Sequence, residues 1–197
     1  MSGSSYLMAE EPPVDLAIAE AMAQELEDYI VGNELYRTLI VRTPQENQKL
    51  QMSGGDFLAR LHRLQGERDV LSAEERSRLD AVQQSANATI HSLRTRFNER
   101  LGREMKARLD SLRWFLDECA DNRGKCGSDY PFEMRNRQRI EEILKQLEGA
   151  APEALVSALS QVDRRIRSLG QTHGFVWDSR LEKVYPPEQY WYLYQRP

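Results

Sequence analysis

Apolar residues recur every three or four positions over most of this chain, and that period predicts helices. From about Val14 to Val31, Leu16, Ala19, Met22, Leu26, Tyr29 and Ile30 share one face, and Gly32-Asn33 makes a natural stop. Leu35 to Arg42 breaks the period with a β-branched and aromatic run. The turn-forming Thr43-Pro44-Gln45-Glu46-Asn47 follows, so residues 37–52 read as a short hairpin, the alternative being a helix continued past Gly32. Ser53-Gly54-Gly55-Asp56 has the layout of a helix cap before Phe57, Leu58, Leu61 and Leu64, and Ser72-Ala73-Glu74-Glu75 is a second capping box.

That second cap opens the longest run. From Leu79 through Ile90, Leu93, Phe97 and Leu101 to Cys119, apolar residues fall at a mean step of about 3.6, the period of a straight helix and not the 3.5 of a heptad coiled coil. Gly102 is the weak point inside it. The stretch Asp121–Asp129 reads as a breaker, with Pro131 opening a helix through Ile140, Ile143, Leu144 and Leu147 to Gly149. Pro152 opens another through Leu155, Leu159, Val162, Ile166 and Leu169 to Gly170.

A helix from Ser72 to Asp121 is roughly 75 Å long, against a diameter of about 42 Å for a globule of this length. The reading is therefore a mainly α, elongated helical bundle around one very long central helix. Its domains are a disordered segment over 1–13, a helical bundle over 14–170 and an aromatic tail over 171–197 that packs on the bundle. Helices folded back along the two ends of the rod leave Ile90, Leu93 and Phe97 in want of cover. Burying these three is worth on the order of 5 kcal/mol. Either the acidic first helix or the same stripe of a second copy can cover them, and the stripe is assigned to self-association as a homodimer.

Charge changes the picture at the N-terminal end. The 197 residues carry a net charge of −4, yet the eight acidic residues up to Glu34 precede the first base, Arg37. An acidic element docking on a basic one, within or between chains, is the corollary. Arg96, Arg100 and Arg103 share a face of the long helix, with further clusters at Arg135, Arg137 and Arg139 and at Arg164, Arg165 and Arg167. Seven of the 16 aromatic residues lie between Phe175 and Tyr194. With Tyr190, Trp191 and Tyr194, the Arg96–Arg100–Arg103 face is a candidate partner-binding surface. The alternative function is nucleic-acid binding by the Arg clusters and tail aromatics, although an acidic chain lacks the usual electrostatic footprint.

Candidate chemistry adds little. His62, His91 and His173 stand apart from any ligand spacing, no phosphate-binding glycine motif occurs, and the carboxylates form no repeated ligand pattern. No metal, cofactor or catalytic residue is expected. Two cysteines cannot staple a fold of this size, so Cys119 and Cys126 read as free thiols in a reducing, cytoplasmic setting, the alternative being a loop disulfide between them. No membrane span or leader is legible. The expectation is a non-enzymatic structural or adaptor protein that self-associates and can take a protein partner. A bundle with an interior pocket for a small ligand is a third possibility that the sequence does not separate.

Overall fold

Helix α1 (Pro12–Val31) starts on two prolines, whose missing N–H groups would have had no acceptor in a first turn. The computed structural model describes residues 9–197, so most of the segment assigned to disorder lies outside the described residues. The order continues β1 (Arg37–Arg42), β2 (Asn47–Met52), α2 (Gly54–Gly66), α3 (Ala73–Ser92), α4 (Arg94–Asp121), α5 (Arg123–Leu147) and α6 (Glu153–Leu169), then a tail with two-residue strands β3 (Gln171–Thr172) and β4 (Gln195–Arg196). The fold is mainly α, with one hairpin and a C-terminal aromatic cluster. The described residues gather into two units that meet within α4, Ala9–Glu104 and Met105–Pro197.

In the first unit, β1 and β2 pair antiparallel from Arg37↔Met52 to Arg42↔Asn47, as the hairpin pattern requires. Thr43 sets the turn: its Oγ1 donates to the Glu46 carbonyl at 2.7 Å and accepts from the Glu46 N–H at 3.1 Å. Leu39 and Val41 face inward, while Ile40 between them is exposed, the period of two expected of a strand. Both predicted caps form: Ser53 Oγ accepts from Asp56 N–H, and Ser72 and Glu75 complete a reciprocal capping box. The acidic α1 docks on bases of its own chain, with Glu20 on Arg78 at 2.5 Å and Glu25 on Arg37 at 2.8 Å.

The long run from Ser72 to Asp121 is not one rod. Leu93 separates α3 from α4, with φ −116° and ψ 25°. Backbone bonding bridges the step, since Leu93 N–H donates to the Thr89 carbonyl at 3.0 Å and Phe97 N–H to the Leu93 carbonyl at 2.9 Å. The apolar period runs straight across this residue, which is why the sequence shows no sign of the break. Gly102 lies inside α4 without interrupting it.

In the second unit, two expectations are corrected. Cys119 and Cys126 are not free thiols but a disulfide, with 4.9 Å between their Cα atoms. Asp121–Asp129 is not a breaker loop either: α5 begins at Arg123, and Pro131 sits inside it instead of opening it. Asn122 alone separates the helices and caps α5, its Oδ1 accepting from Lys125 N–H at 3.1 Å. Glu148 (φ 48°) and Gly149 (φ 85°) then turn the chain left-handed after α5, and the predicted α6 runs to Gly170.

Glycine replacements test the first unit's packing. An added Cβ at Gly54 would lie 2.8 Å from Leu101 Cδ2 and 3.0 Å from Phe97 Cε2, both on fully buried side chains, whereas nothing lies within 4 Å at Gly102. Chemical denaturation should show Gly54→Ala destabilised by about 1–3 kcal/mol and Gly102→Ala stabilised by about 0.5–1 kcal/mol.

Candidate interaction surface

Two charged residues near the start of α4, Arg100 and Glu104, are built inward. Helix α1 carries no base in its last turn, so the partial negative charge of its carbonyl end is unmet locally. Arg100 meets it: its guanidinium donates to the Gly32 and Glu34 carbonyls, lies 3.4 Å from that of Ile30, and stacks 4.9 Å over the Tyr29 ring. One turn on, Glu104 serves the opposite pole of α2. It accepts from Ser53 Oγ at 2.7 Å and from Gly55 N–H at 2.8 Å, while Tyr29 Oη accepts from Gly54 N–H at 3.0 Å. The first N–H groups of α2, orphaned in any helix, are thus satisfied by Tyr29, Glu104 and Ser53. Asp15, fully buried, adds a second tie by accepting from Arg60 at 2.5 Å and from Arg63 at 2.7 and 2.9 Å.

In the second unit the tail aromatics are held by their polar ends. Tyr190 Oη donates to Glu142 at 2.7 Å and accepts from Lys145 Nζ at 2.6 Å. Tyr130 Oη donates to the Tyr192 carbonyl at 2.8 Å, and Trp177 Nε1 to the Pro131 carbonyl at 2.7 Å. Arg137 makes a bidentate pair with Asp163 at 2.8 and 3.0 Å and lies 4.8 Å over the Tyr192 ring. Arg167 covers Trp191 at 3.5 Å, and Tyr194 Oη donates to the Tyr185 carbonyl at 2.8 Å.

The nominated residues therefore separate. Phe97 is fully buried beside Gly54, and Ile90 is 7% exposed, so this part of the stripe is covered by its own chain. Leu93, at the helix break, is half-buried. Arg100 is only 2% exposed and is no surface base, whereas Arg96 and Arg103 are exposed. Tyr190 is buried, and Trp191 and Tyr194 are half-buried. The stripe that the sequence left wet is closed because α2 packs on Phe97 and Leu101 and α1 packs on α3, which periodicity within one helix does not reveal.

What faces outward instead is Trp114, 65% exposed, and Phe132, 52% exposed. Each stands two residues from buried neighbours on either side, Leu112 and Leu116 for the first and Tyr130 and Met134 for the second. Two residues are about 200° around a helix, so both aromatics point away from the buried faces. Helices α4 and α5 run antiparallel, as the Cys119–Cys126 bond, the Phe115–Tyr130 ring pair at 6.5 Å and the Arg108–Asn136 hydrogen bond at 2.8 Å establish. In that register Trp114 and Phe132 are level. Charges of both signs surround them: Asp110 with Lys106 at 2.9 Å and Arg113 at 3.5 Å, Asp117 with Arg165 at 2.6 Å, and Arg135 over the Phe132 ring at 5.1 Å. The signal for this pair was in the sequence as two aromatics off the apolar period. It is masked by the stronger aromatic density of the tail.

Among the described residues no group of three or more His, Cys, Asp or Glu side chains is placed to hold a metal ion, and no helix is long and apolar enough to cross a membrane. The architecture is that of a multi-helix, hairpin-bearing α protein. No family model matches the sequence, and neither a curated protein nor a solved structure is similar to it.

Replacing Glu104 by Ala removes the acceptor from two buried donors and should cost about 2–4 kcal/mol in chemical denaturation. A second expectation concerns alkali. Burial, then the charge of Glu104, pushes the Tyr29 hydroxyl up to about 12, and burial likewise raises Tyr130, Tyr190 and Tyr192. An unfolded chain ionises its phenols near pH 10, so it releases protons that the folded chain retains. The stability these phenols contribute should be constant below pH 10 and fall as pH rises through 10 toward 12, with phenolate absorbance lagging until unfolding.

Proposed function

We propose that this chain is a non-enzymatic helical adaptor that pairs with a second copy of itself through the α4–α5 face bearing Trp114 and Phe132. The observation that carries the reading is the exposure of these two large aromatics at one level of an antiparallel helix pair. Trp is the side chain most concentrated at binding hot spots, and a rigid pair of helices presents it at little entropic cost. The surrounding charges favour a second copy over a polyanion. Asp110 and Asp117 sit beside Arg113, Lys106 and Arg165, so a two-fold operation can bring opposite signs together. The buried acids and bases, Arg100, Glu104, Asp15, Arg137 and Glu142, are spent on holding helix ends and the tail, a use that supports an architectural role over a catalytic one.

Binding of nucleic acid is the second reading, favoured by the exposed Arg96 and Arg103 on α4. Against it weigh the buried Arg100 between them and tail aromatics whose rings are packed on one another and beneath Arg137 and Arg167.

Light scattering on the eluting protein at micromolar concentration tests the pairing. The wild-type chain should run at twice its 22.9 kDa mass. The double variant Trp114→Ala/Phe132→Ala should run at one chain, with stability within about 0.5 kcal/mol of wild type because neither side chain is core. Phe97→Glu, by contrast, should unfold its unit, since a carboxylate there has no partner. A wild-type monomer, or a dimer that survives the double variant, sinks the proposal. Binding to a labelled single strand at about 50 mM salt that weakens steeply as salt is raised would establish the second reading in its place.

A further inference from the structure

The first two turns of α5 are helical against their own sequence. Arg123–Asp129 contains Gly124, Gly127 and Ser128, and glycine is the poorest helix former after proline. Neither glycine is demanded by packing: an added Cβ would meet only Asn122 Oδ1 at 3.7 Å at Gly124, and the Pro197 carbonyl at 3.8 Å at Gly127. Pro131 has no N–H to give the Gly127 carbonyl, so the segment joins the rest of α5 across a missing rung. Of the residues from Arg123 to Asp129, Cys126 alone is buried. The other ties are the Asn122 cap and an exposed Lys125–Glu118 ion pair at 3.8 Å, which is worth little in water.

We propose that the Cys119–Cys126 disulfide is a redox-operated clasp that keeps this segment helical, and that its reduction unwinds α5 back to Pro131. The bond pins the one buried residue of the segment to the last turns of α4, which are intact helix. A cleft of about 210 Å³ lined by both cysteines with Glu118, Asp121, Lys125 and Asp129 is the approach to the bond, whose cysteines are themselves only 2% and 3% exposed. The reductant is a dithiol. Its thiolate attacks one sulfur of the disulfide and releases the other cysteine as a thiolate, which takes up a proton. The second thiol of the reductant then displaces the mixed disulfide, closing the reductant's own disulfide and leaving Cys119 and Cys126 as thiols. Two electrons and two protons pass from reductant to protein. The clasp stands independently of the pairing at Trp114 and Phe132, which is read by mass.

Hydrogen exchange on the full chain, with and without dithiothreitol, tests this. Reduction should lower protection of the amides of 123–130 by tenfold or more, leave 105–116 and α6 unchanged, and be reversed by reoxidation. Trypsin should cut after Arg123 and Lys125 in the reduced chain and spare them in the oxidised one. The Cys119→Ser/Cys126→Ser variant should behave as the reduced chain without reductant. Unchanged protection on reduction would overturn the proposal, as would protection lost throughout Met105–Pro197, which would make the bond a general staple. A purified, untreated chain with two titratable thiols and a protected 123–130 would overturn it as well.

Discussion

Two side chains one turn apart on α4 complete two other helices, and the first unit depends on that arrangement. A helix exposes carbonyls and partial negative charge at its end, N–H groups and partial positive charge at its start. Here α1 ends without a cation of its own and α2 begins inside the protein, away from water. Arg100 supplies the first need and Glu104 the second. Because i and i+4 share a face, a single register of α4 satisfies both, and a rotation of α4 would leave a buried cation, a buried anion and several backbone groups unpaired at once. Tyr29 stitches the two ends together, under the Arg100 guanidinium and bonded to Gly54 N–H.

The second unit solves a different problem with the same chemistry. Its last residues form no long element, so they lack a repeating backbone ladder to hold them. Tyr and Trp substitute for one: their rings pack on one another while each polar end finds a fixed partner. Tyr185 lies edge-on to both Trp177 and Tyr190, and the hydroxyl of Tyr190 meets Glu142 and Lys145 on α5. Across both units the polar groups with unusual environments therefore look inward. The outward-facing exceptions that draw attention are apolar, which is why the functional reading rests on contact and not on chemistry.

Much of this was legible along the chain. The hairpin, both serine caps and the stops at Gly32, Gly149 and Gly170 follow from residues within a few positions of one another. The charge asymmetry announced that the acidic α1 docks on bases without saying whether of its own chain or another. The candidate surface was less so. Arg96, Arg100 and Arg103 look alike in sequence, yet the middle one lies beneath the end of α1. Ile90 and Phe97 look like an open seam, yet α2 and its neighbours close it.

The sequence by itself determined the period of each helix, the capped starts, the hairpin and the aromatic character of the tail, because these express preferences carried by adjacent residues. The tertiary structure alone decided that helix gives way at Leu93 and not at Gly102, that Cys119 reaches Cys126, that Arg123–Asp129 is wound into α5, and which charges are inside. Each of those outcomes is set by groups brought close in space, whose burial, bonding or covalent linkage outweighs the local preference of the segment they touch.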